Sequence, residues 1–419
     1  MSEGGPRGEG ATTQGPLSGL TVLEFTHFLA GPYAGVTLAD LGAQVIKVED
    51  VSHPDEAREV GPYFAGGQSL YFLALNWGKR SFAVNLSDPR GRDLVLRLAV
   101  TADAVLDNYR PGVMAKLGLN HKALELVNPR IVTCSITGFG ETGPYATRPA
   151  YDYTIQALSG VMSLTGEPGT APVKAGVSYV DHNGGLAAGL AICAAIIERG
   201  RTGVGRHIDI GLLDVQISML TYLAAWQLNA GVEPGRTANS AHPSLVPAQN
   251  FSTREGHIAV FVGNDSTWRR LAAVMQEPRL ESPEYATNAQ RLTHREEIVT
   301  VVQSVLARRD AQEWVQILND AGVPCSRVNT VSGALGNEQV RARGLVRWSD
   351  GAGSGPYRHA AGPLPSLGVA GGNGAPMFGA DTADLLRELG CTAEIIAELG
   401  ANGTVVLGAG DAGLSKSAS

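Results

Sequence analysis

Charge is scarce in this chain: 17% of its 419 residues are Asp, Glu, Lys or Arg, against about 25% in ordinary soluble domains. So little charge asks for a large interior. What charge there is sums to -7. A protein that recruits nucleic acid through its field is basic, so no nucleic-acid partner is expected, and any anionic ligand must be met by local Lys and Arg. Cysteine is scarce too. Cys134, Cys193, Cys325 and Cys391 lie far apart with no C-x-x-C, which fits a reducing, cytoplasmic setting without structural zinc. The nine histidines show no HExxH or other ligand spacing, so no metal is expected. No apolar run reaches the ~20 residues of a membrane helix. The longest is Leu186–Ile197, and no membrane partner is expected. GxxxxGK[ST] and GxSxG are absent, against a P-loop and a hydrolase elbow. Glycine (53) and proline (22) are plentiful, yet together they stay short of the ~25–30% that marks low complexity.

The apolar residues that are present fall into short runs. Leu20–Phe25, Ala43–Val48, Ser81–Leu86, Ala104–Leu106 and Ile131–Ile136 read as strands. Gly31–Leu41 reads as a helix stopped by Gly42, since glycine tolerates positive φ. Ser87-Asp88-Pro89 supplies a cap and a first-turn proline for a helix through Leu94, Leu98 and Ala99, and a further helix carries Leu124 and Val127. This alternation predicts an α/β fold, a parallel sheet with helices on its faces. Further on, Tyr151–Met162 reads as helical and Gly184–Glu198 as a buried helix. Arg199–Gly205 reads as a basic turn, Arg206–Ile210 as a strand and Leu212–Asn229 as a long apolar helix. His257–Val262 is an expected strand; Thr267–Met275, Arg295–Leu306, Ala311–Ala321 and Ala380–Leu389 are expected helices. The domain reading is a disordered leader at 1–16, without the apolar core of a signal peptide. A large domain at 17–230, a linker at 231–247 and a small domain at 248–330 follow. A return segment to the large domain at 331–400, Gly- and Pro-rich over 350–376, and a loose tail at 401–419 complete it.

Several residues could carry chemistry. Gly138-Phe139-Gly140-Glu141-Thr142-Gly143 is a literal GxGxxG after a strand. No helix is expected next, because Pro144 and Pro149 follow, and the acidic residue expected about 20 positions on is Ser163, so a nicotinamide site is disfavoured. The loop still stands where open α/β sheets hold ligands. Asp181 precedes the Gly184-Gly185 start of the buried helix. An N-cap is the plain reading; the glycines would also let another molecule approach a carboxylate set at a helix N-terminus. Lys79, Arg110 and Lys116 are basic residues after strands, suited to phosphates of an anionic cofactor. His27 follows the first strand, another ligand position in such sheets.

Taken in order, Val22–Glu49 (VLEFTHFLAGPYAGVTLADLGAQVIKVE), Asn76–Ser81 (NWGKRS), Asn108–Leu117 (NYRPGVMAKL), Ser135–Pro144 (SITGFGETGP), Asp181 with its glycines, Thr202–Asp209 (TGVGRHID) and Ala321–Val328 (AGVPCSRV) resemble the family III coenzyme A transferases (CaiB/BaiF type), the group of formyl-CoA and carnitine CoA-transferases. The resemblance runs from Leu17 to about Leu399. It implies a Rossmann-like large domain made from both chain ends, a small inserted α/β domain and an interlocked homodimer. It also implies transfer of CoA from an acyl-CoA to a small carboxylic acid. The family's nucleophile falls on Asp181, which would pass through a mixed anhydride and an aspartyl-CoA thioester. Its CoA contacts fall on Leu29, Ala30, Asn76, Lys79, Asn108, Tyr109, Arg110, Lys116 and Tyr151. Three departures stand out. Leu29 replaces a glutamine of formyl-type members, and Arg254–Met275 lacks their glycine-rich flap, against formate or oxalate. Asp50 replaces an arginine. Tyr151-Asp152 stands where the racemase branch carries histidine and aspartate. A 2-methylacyl-CoA racemase and a non-catalytic CoA-binding protein are the alternatives.

Overall fold

The computed structural model describes residues 14–351, 353–369 and 373–408. The expected leader, save Gln14–Pro16, and the chain past 408 lie outside these. Two compact units emerge: one from residues up to 159, 176–221 and 338 onward, the other from 160–175 and 222–337.

In the first unit, strands β1 (Thr21–Phe25), β2 (Gln44–Asp50), β3 (Arg80–Val84), β4 (Ala104–Asp107), β5 (Val132–Thr137) and β6 (His207–Gly211) are all parallel. They lie in the order 3-2-1-4-5-6, and Val405–Val406 adds antiparallel to the outer edge of β3. That order is the doubly wound one. The strands are apolar runs because both faces are covered. Leu23, Phe25, Ile46, Val48, Phe82, Val84 and Val105 pack to one side under α3 (Pro89–Ala99). Val22, Val45, Ala104, Leu106, Val132 and Cys134 pack to the other, under α1 (Ala30–Asp40) and α5 (Tyr179–Thr202). Asp88 caps α3 as its sequence predicts, its carboxylate accepting from the Arg90 N–H at 2.9 Å.

Several expectations need correction. The helix around Leu124 is one turn, His121–Leu124, and leaves Val127 outside. Tyr151–Met162 is two short helices, Asp152–Leu158 and Val161–Leu164, parted at Gly160 with φ 85°. Leu212–Asn229 breaks at Thr221, φ 43°, into Leu212–Met219 and Thr221–Ala230. The break falls where the first unit gives way to the second. The basic turn at Arg199 is the last part of α5, and Arg199 is buried, its guanidinium 2.8 Å from Asp103. At 24 residues α5 is long and apolar enough, by length and composition, to cross a bilayer. Its Val180, Gly184, Ala188, Ile192 and Ala195 nevertheless form a buried stripe, and only that stripe is core: Leu186, Leu190 and Ile197 are exposed. Of the segment read as a loose tail, residues 401–408 are described, and they hold the end of a helix at Ala393–Ala401 and the strand Val405–Val406.

The second unit is a three-stranded antiparallel sheet, Cys325–Arg327, His257–Phe261 and Ala248–Ser252. Helices Asp265–Met275, Arg295–Leu306 and Ala311–Asp320 supply the apolar residues that cover it. The segment read as a linker is partly built into this unit: Val246 belongs to its core, and Arg295 donates to the His242 carbonyl at 3.0 Å.

Candidate active site

A sheet of this order splits its crossovers between β1 and β4, leaving a crevice beyond their C-terminal ends. His27, Leu29 and Ala30 follow β1, and Asn108, Tyr109 and Arg110 follow β4. With Tyr151 and Asp181 they line one cleft of about 320 Å³. Eight of the expected site residues therefore meet in one place.

Asp181 stands in the first turn of α5, which begins two residues earlier than Asp181 at Tyr179; it is not the cap. Ser178 holds the cap position without a side-chain bond, and the free Val180 N–H is met by the buried Asp152 carboxylate at 3.0 Å. Asp152 is held in turn by the Gln156 amide at 2.7 Å. Burial pushes the Asp181 carboxyl up to about 7, with the nearby Asp152 charge adding to the effect. A weakly solvated carboxylate that ionises near neutrality is suited to nucleophilic attack.

Gly184 and Gly185 do not open the site to a ligand. A Cβ on Gly185 would stand 2.6 Å from the Ala30 carbonyl oxygen, and one on Gly184 2.2 Å from Leu212 Cδ2. These glycines let α5 lie against α1 and Leu212, bringing Asp181 toward Ala30.

Asn76 and Lys79 do not line the cleft, and both are fully buried. The Lys79 ammonium bonds Glu24 at 2.9 Å, the Pro32 carbonyl at 3.0 Å and Asn76 Oδ1 at 2.8 Å. Burial brings its pKa down to about 8. With three protein acceptors it has no donor left for a phosphate, so the expected Lys79–Arg110–Lys116 phosphate site is not formed. Lys116 is exposed on the turn Val113–Lys116 and also lies off the cleft lining. Asp50 is engaged locally, accepting from the Leu86 and Ser52 N–H groups at 2.9 and 2.8 Å. Asn108 lines the cleft, but its amide is spent on the backbone of His27, bonding its N–H at 2.9 Å and its carbonyl at 2.8 Å. Burial lowers the His27 pKa, which favours the neutral ring.

Phe28 and Arg148 are among the lining residues that the sequence reading did not single out. Phe28 adopts φ 61° and meets the Tyr151 ring edge-on at 6.3 Å. Arg148 is exposed on the loop after β5, its guanidinium carbon over the Tyr145 ring, 3.5 Å from the ring centre. It has no carboxylate partner among the described residues. Its signal in the sequence is a cation beside Pro149 in a ligand loop. As expected from the prolines, no helix follows Gly138–Gly143 directly; Asp209 holds this loop through the Glu141 N–H at 2.9 Å. Among the described residues no three His, Cys, Asp or Glu side chains cluster to hold a metal.

Comparison with known proteins agrees with this geometry. Residues 17–382 match CoA-transferase family III. The chain is 41% identical over 337 residues to a succinate–glutarate CoA-transferase of Agrobacterium fabrum, covering 79% of this chain and 84% of that one. It is 37% identical to an acetyl-CoA:oxalate CoA-transferase of Acetobacter aceti, covering 81% and 88%. A CaiB/BaiF family protein from Brucella suis superposes with a TM-score of 0.79 at 36% identity, over 90% of this chain and 100% of that one. The chain belongs to CoA-transferase family III and is a CoA-transferase.

Proposed function

We propose that this enzyme moves CoA from an acyl-CoA to a short dicarboxylic acid, with Asp181 as the nucleophile. The observation that carries the reading is the Asp181 carboxyl, pushed up to about 7 by burial, on the wall of a cleft that Arg110 and Arg148 also line. Asp181 attacks the thioester carbonyl, forming a mixed anhydride and releasing CoA thiolate. The thiolate attacks the Asp181 carbonyl, expelling the donor's carboxylate and leaving an aspartyl-CoA thioester. The acceptor carboxylate attacks that thioester, giving a second anhydride and free thiolate. Attack of the thiolate on the acceptor's carbonyl then restores Asp181. One acyl exchange becomes four easier steps. Each tetrahedral centre needs N–H donors, and Gly138, a residue of the cleft wall, is the candidate to supply one.

Arg110, at the rim, suits a CoA phosphate. Arg148 suits the far carboxylate of the acceptor, because guanidinium and carboxylate pair in two parallel bonds. The relatives' names support that class. The racemase alternative lacks support. It requires two acid/base groups, and where that branch carries a histidine this chain has Tyr151, an exposed phenol.

Purified enzyme given succinyl-CoA and a panel of free acids is expected to charge C4 to C6 dicarboxylates well above monocarboxylates of the same length. Arg148→Gln is expected to raise KM for the dicarboxylate about tenfold, the size of one charged hydrogen bond, and to change kcat/KM for a monocarboxylate little. Equal use of both acid classes would overturn the substrate class. An unchanged KM would remove Arg148 from the site.

We also propose a homodimer, with interlocked subunits. Leu190 and Ile197 support it, apolar side chains left 74% and 67% exposed on α5; stripes of this kind mark interaction surfaces. Sedimentation is expected to give twice the chain mass at micromolar concentration. A stable monomer would overturn it.

A further inference from the structure

The backbone that carries Phe28 into the cleft is gripped by side chains from three other places in the chain. Two successive peptide groups are involved. The Thr26 carbonyl accepts from the Lys47 ammonium at 2.7 Å. The His27 N–H and carbonyl are both bonded to the Asn108 amide. The Phe28 N–H donates to Asp55 Oδ1 at 3.0 Å. Lys47 and Asp55 also pair with one another at 2.9 Å, both buried. Asp55 is fixed from behind, its own N–H donating to Glu49 at 3.1 Å, while Arg58 clamps both Glu49 oxygens at 2.8 and 2.6 Å.

This grip has an object. Phe28 lies at φ 61°, a left-handed conformation that disfavours any side chain and persists only where the surroundings over-determine it. Past Phe28 the chain enters α1 through Leu29 and Ala30, which line the cleft with Phe28 itself. A buried ion pair is a costly way to hold a fold, often matched by apolar residues, so its placement on a strained cleft residue is informative.

We infer that the buried Lys47–Asp55 pair is a positioning device for acyl-CoA binding: it holds Phe28 left-handed, so that Phe28, Leu29 and Ala30 form the cleft wall that faces Asp181. Neither Lys47 nor Asp55 touches substrate. This rests on the reading that the Asp181 cleft binds the acyl-CoA.

A kinetic cycle tests it. Asp55→Ala is expected to raise KM for the acyl-CoA about tenfold, the worth of one lost bond to a charged group, with kcat changed much less. Glycine adopts the left-handed conformation without strain. In a Phe28→Gly background, therefore, Asp55→Ala is expected to change KM by less than about threefold, a non-additivity that a general loss of stability does not produce. Asp55→Asn keeps an acceptor for the Phe28 N–H but sets an amide NH2 against the Lys47 ammonium, so its KM is expected to lie between those of the wild type and Asp55→Ala. Where Asp55→Ala does not fold, Asp55→Glu replaces it in the cycle, since it keeps the charge for Lys47 and displaces the oxygens from Phe28. An equal KM change in both backgrounds, or none in either while the wild type transfers CoA, would overturn the inference. A wild type that transfers CoA while Asp181→Asn does so equally well would instead overturn the assignment of the cleft.

Discussion

Asp181→Asn is expected to lower CoA transfer by at least about 10³-fold, because the amide cannot form the anhydride on which every later step of the proposed mechanism depends. The helix should survive: the Val180 N–H is met by Asp152 and not by Asp181. Wild-type enzyme incubated with an acyl-CoA and no acceptor is expected to hold a covalent adduct that hydroxylamine converts to a hydroxamate on the Asp181 peptide, read by mass spectrometry. An adduct on another residue, or substantial turnover by Asp181→Asn, would falsify the assignment. The pH dependence follows from the same carboxyl. Burial first, and Asp152 second, hold its pKa up to about 7, so kcat/KM is expected to rise with pH through about 7 and then level. Stability moves the opposite way. An unfolded aspartate ionises near pH 4, while the folded one keeps its proton to about 7. Between those values the unfolded state sheds a proton that the fold retains, and the wild type loses stability as pH rises. Asp181→Asn should therefore equal the wild type below pH 4 and exceed it by roughly 1–3 kcal/mol above pH 7. Thermal unfolding at the two pH values reads the difference. Equal stabilities at pH 8 would show that the buried carboxylate imposes no such cost.

Gly185→Leu is expected to disturb the fold and the site together. The first added carbon alone would lie 2.6 Å from the Ala30 carbonyl oxygen and 3.2 Å from the Ala34 N–H. Both are backbone atoms of α1, so no rotamer change relieves the clash. Leucine is the better helix former by about 1 kcal/mol. Forcing α1 from α5 outweighs that gain, because overpacking against a fixed wall typically costs 1–3 kcal/mol or more. Asp181 lies one turn before Gly185 on α5, and Ala30 lines the same cleft, so the displacement should also raise KM for the acyl-CoA. Calorimetry should show a lower Tm, and an unchanged Tm would mean that the two helices have slack between them.

The central sheet was readable because strands covered on both faces leave continuous apolar runs, as at Val22–Phe25 and Val132–Ile136. The cleft followed from the sheet, since crevices of such folds lie past strand ends, and His27, Asn108 and Gly138 all follow strands and line it. What escaped depends on partners distant in sequence. Lys79 looks like a surface cation until Glu24, 55 residues away, is seen to bury it. The start of α5 carries no capping signature, because its free N–H finds Asp152, 28 residues upstream. The break at Thr221 has neither glycine nor proline to announce it. The two-residue strand at Val405–Val406 is too short to show a pattern.

That last strand matters beyond its length. It covers the outer edge of β3, and Thr404 joins it there, its carbonyl accepting from the Asn85 N–H at 2.8 Å and its hydroxyl bonding Asp88 at 2.8 Å. During synthesis β3 leaves the ribosome more than 300 residues before its cover. Throughout that interval the sheet presents an edge of unpaired backbone N–H and C=O groups, of the kind that recruits strands from other chains. Val405–Val406 thus covers an edge that stays open until late in synthesis, and cutting the chain short of Thr404 would remove that cover while leaving every residue of the Asp181 cleft in the chain.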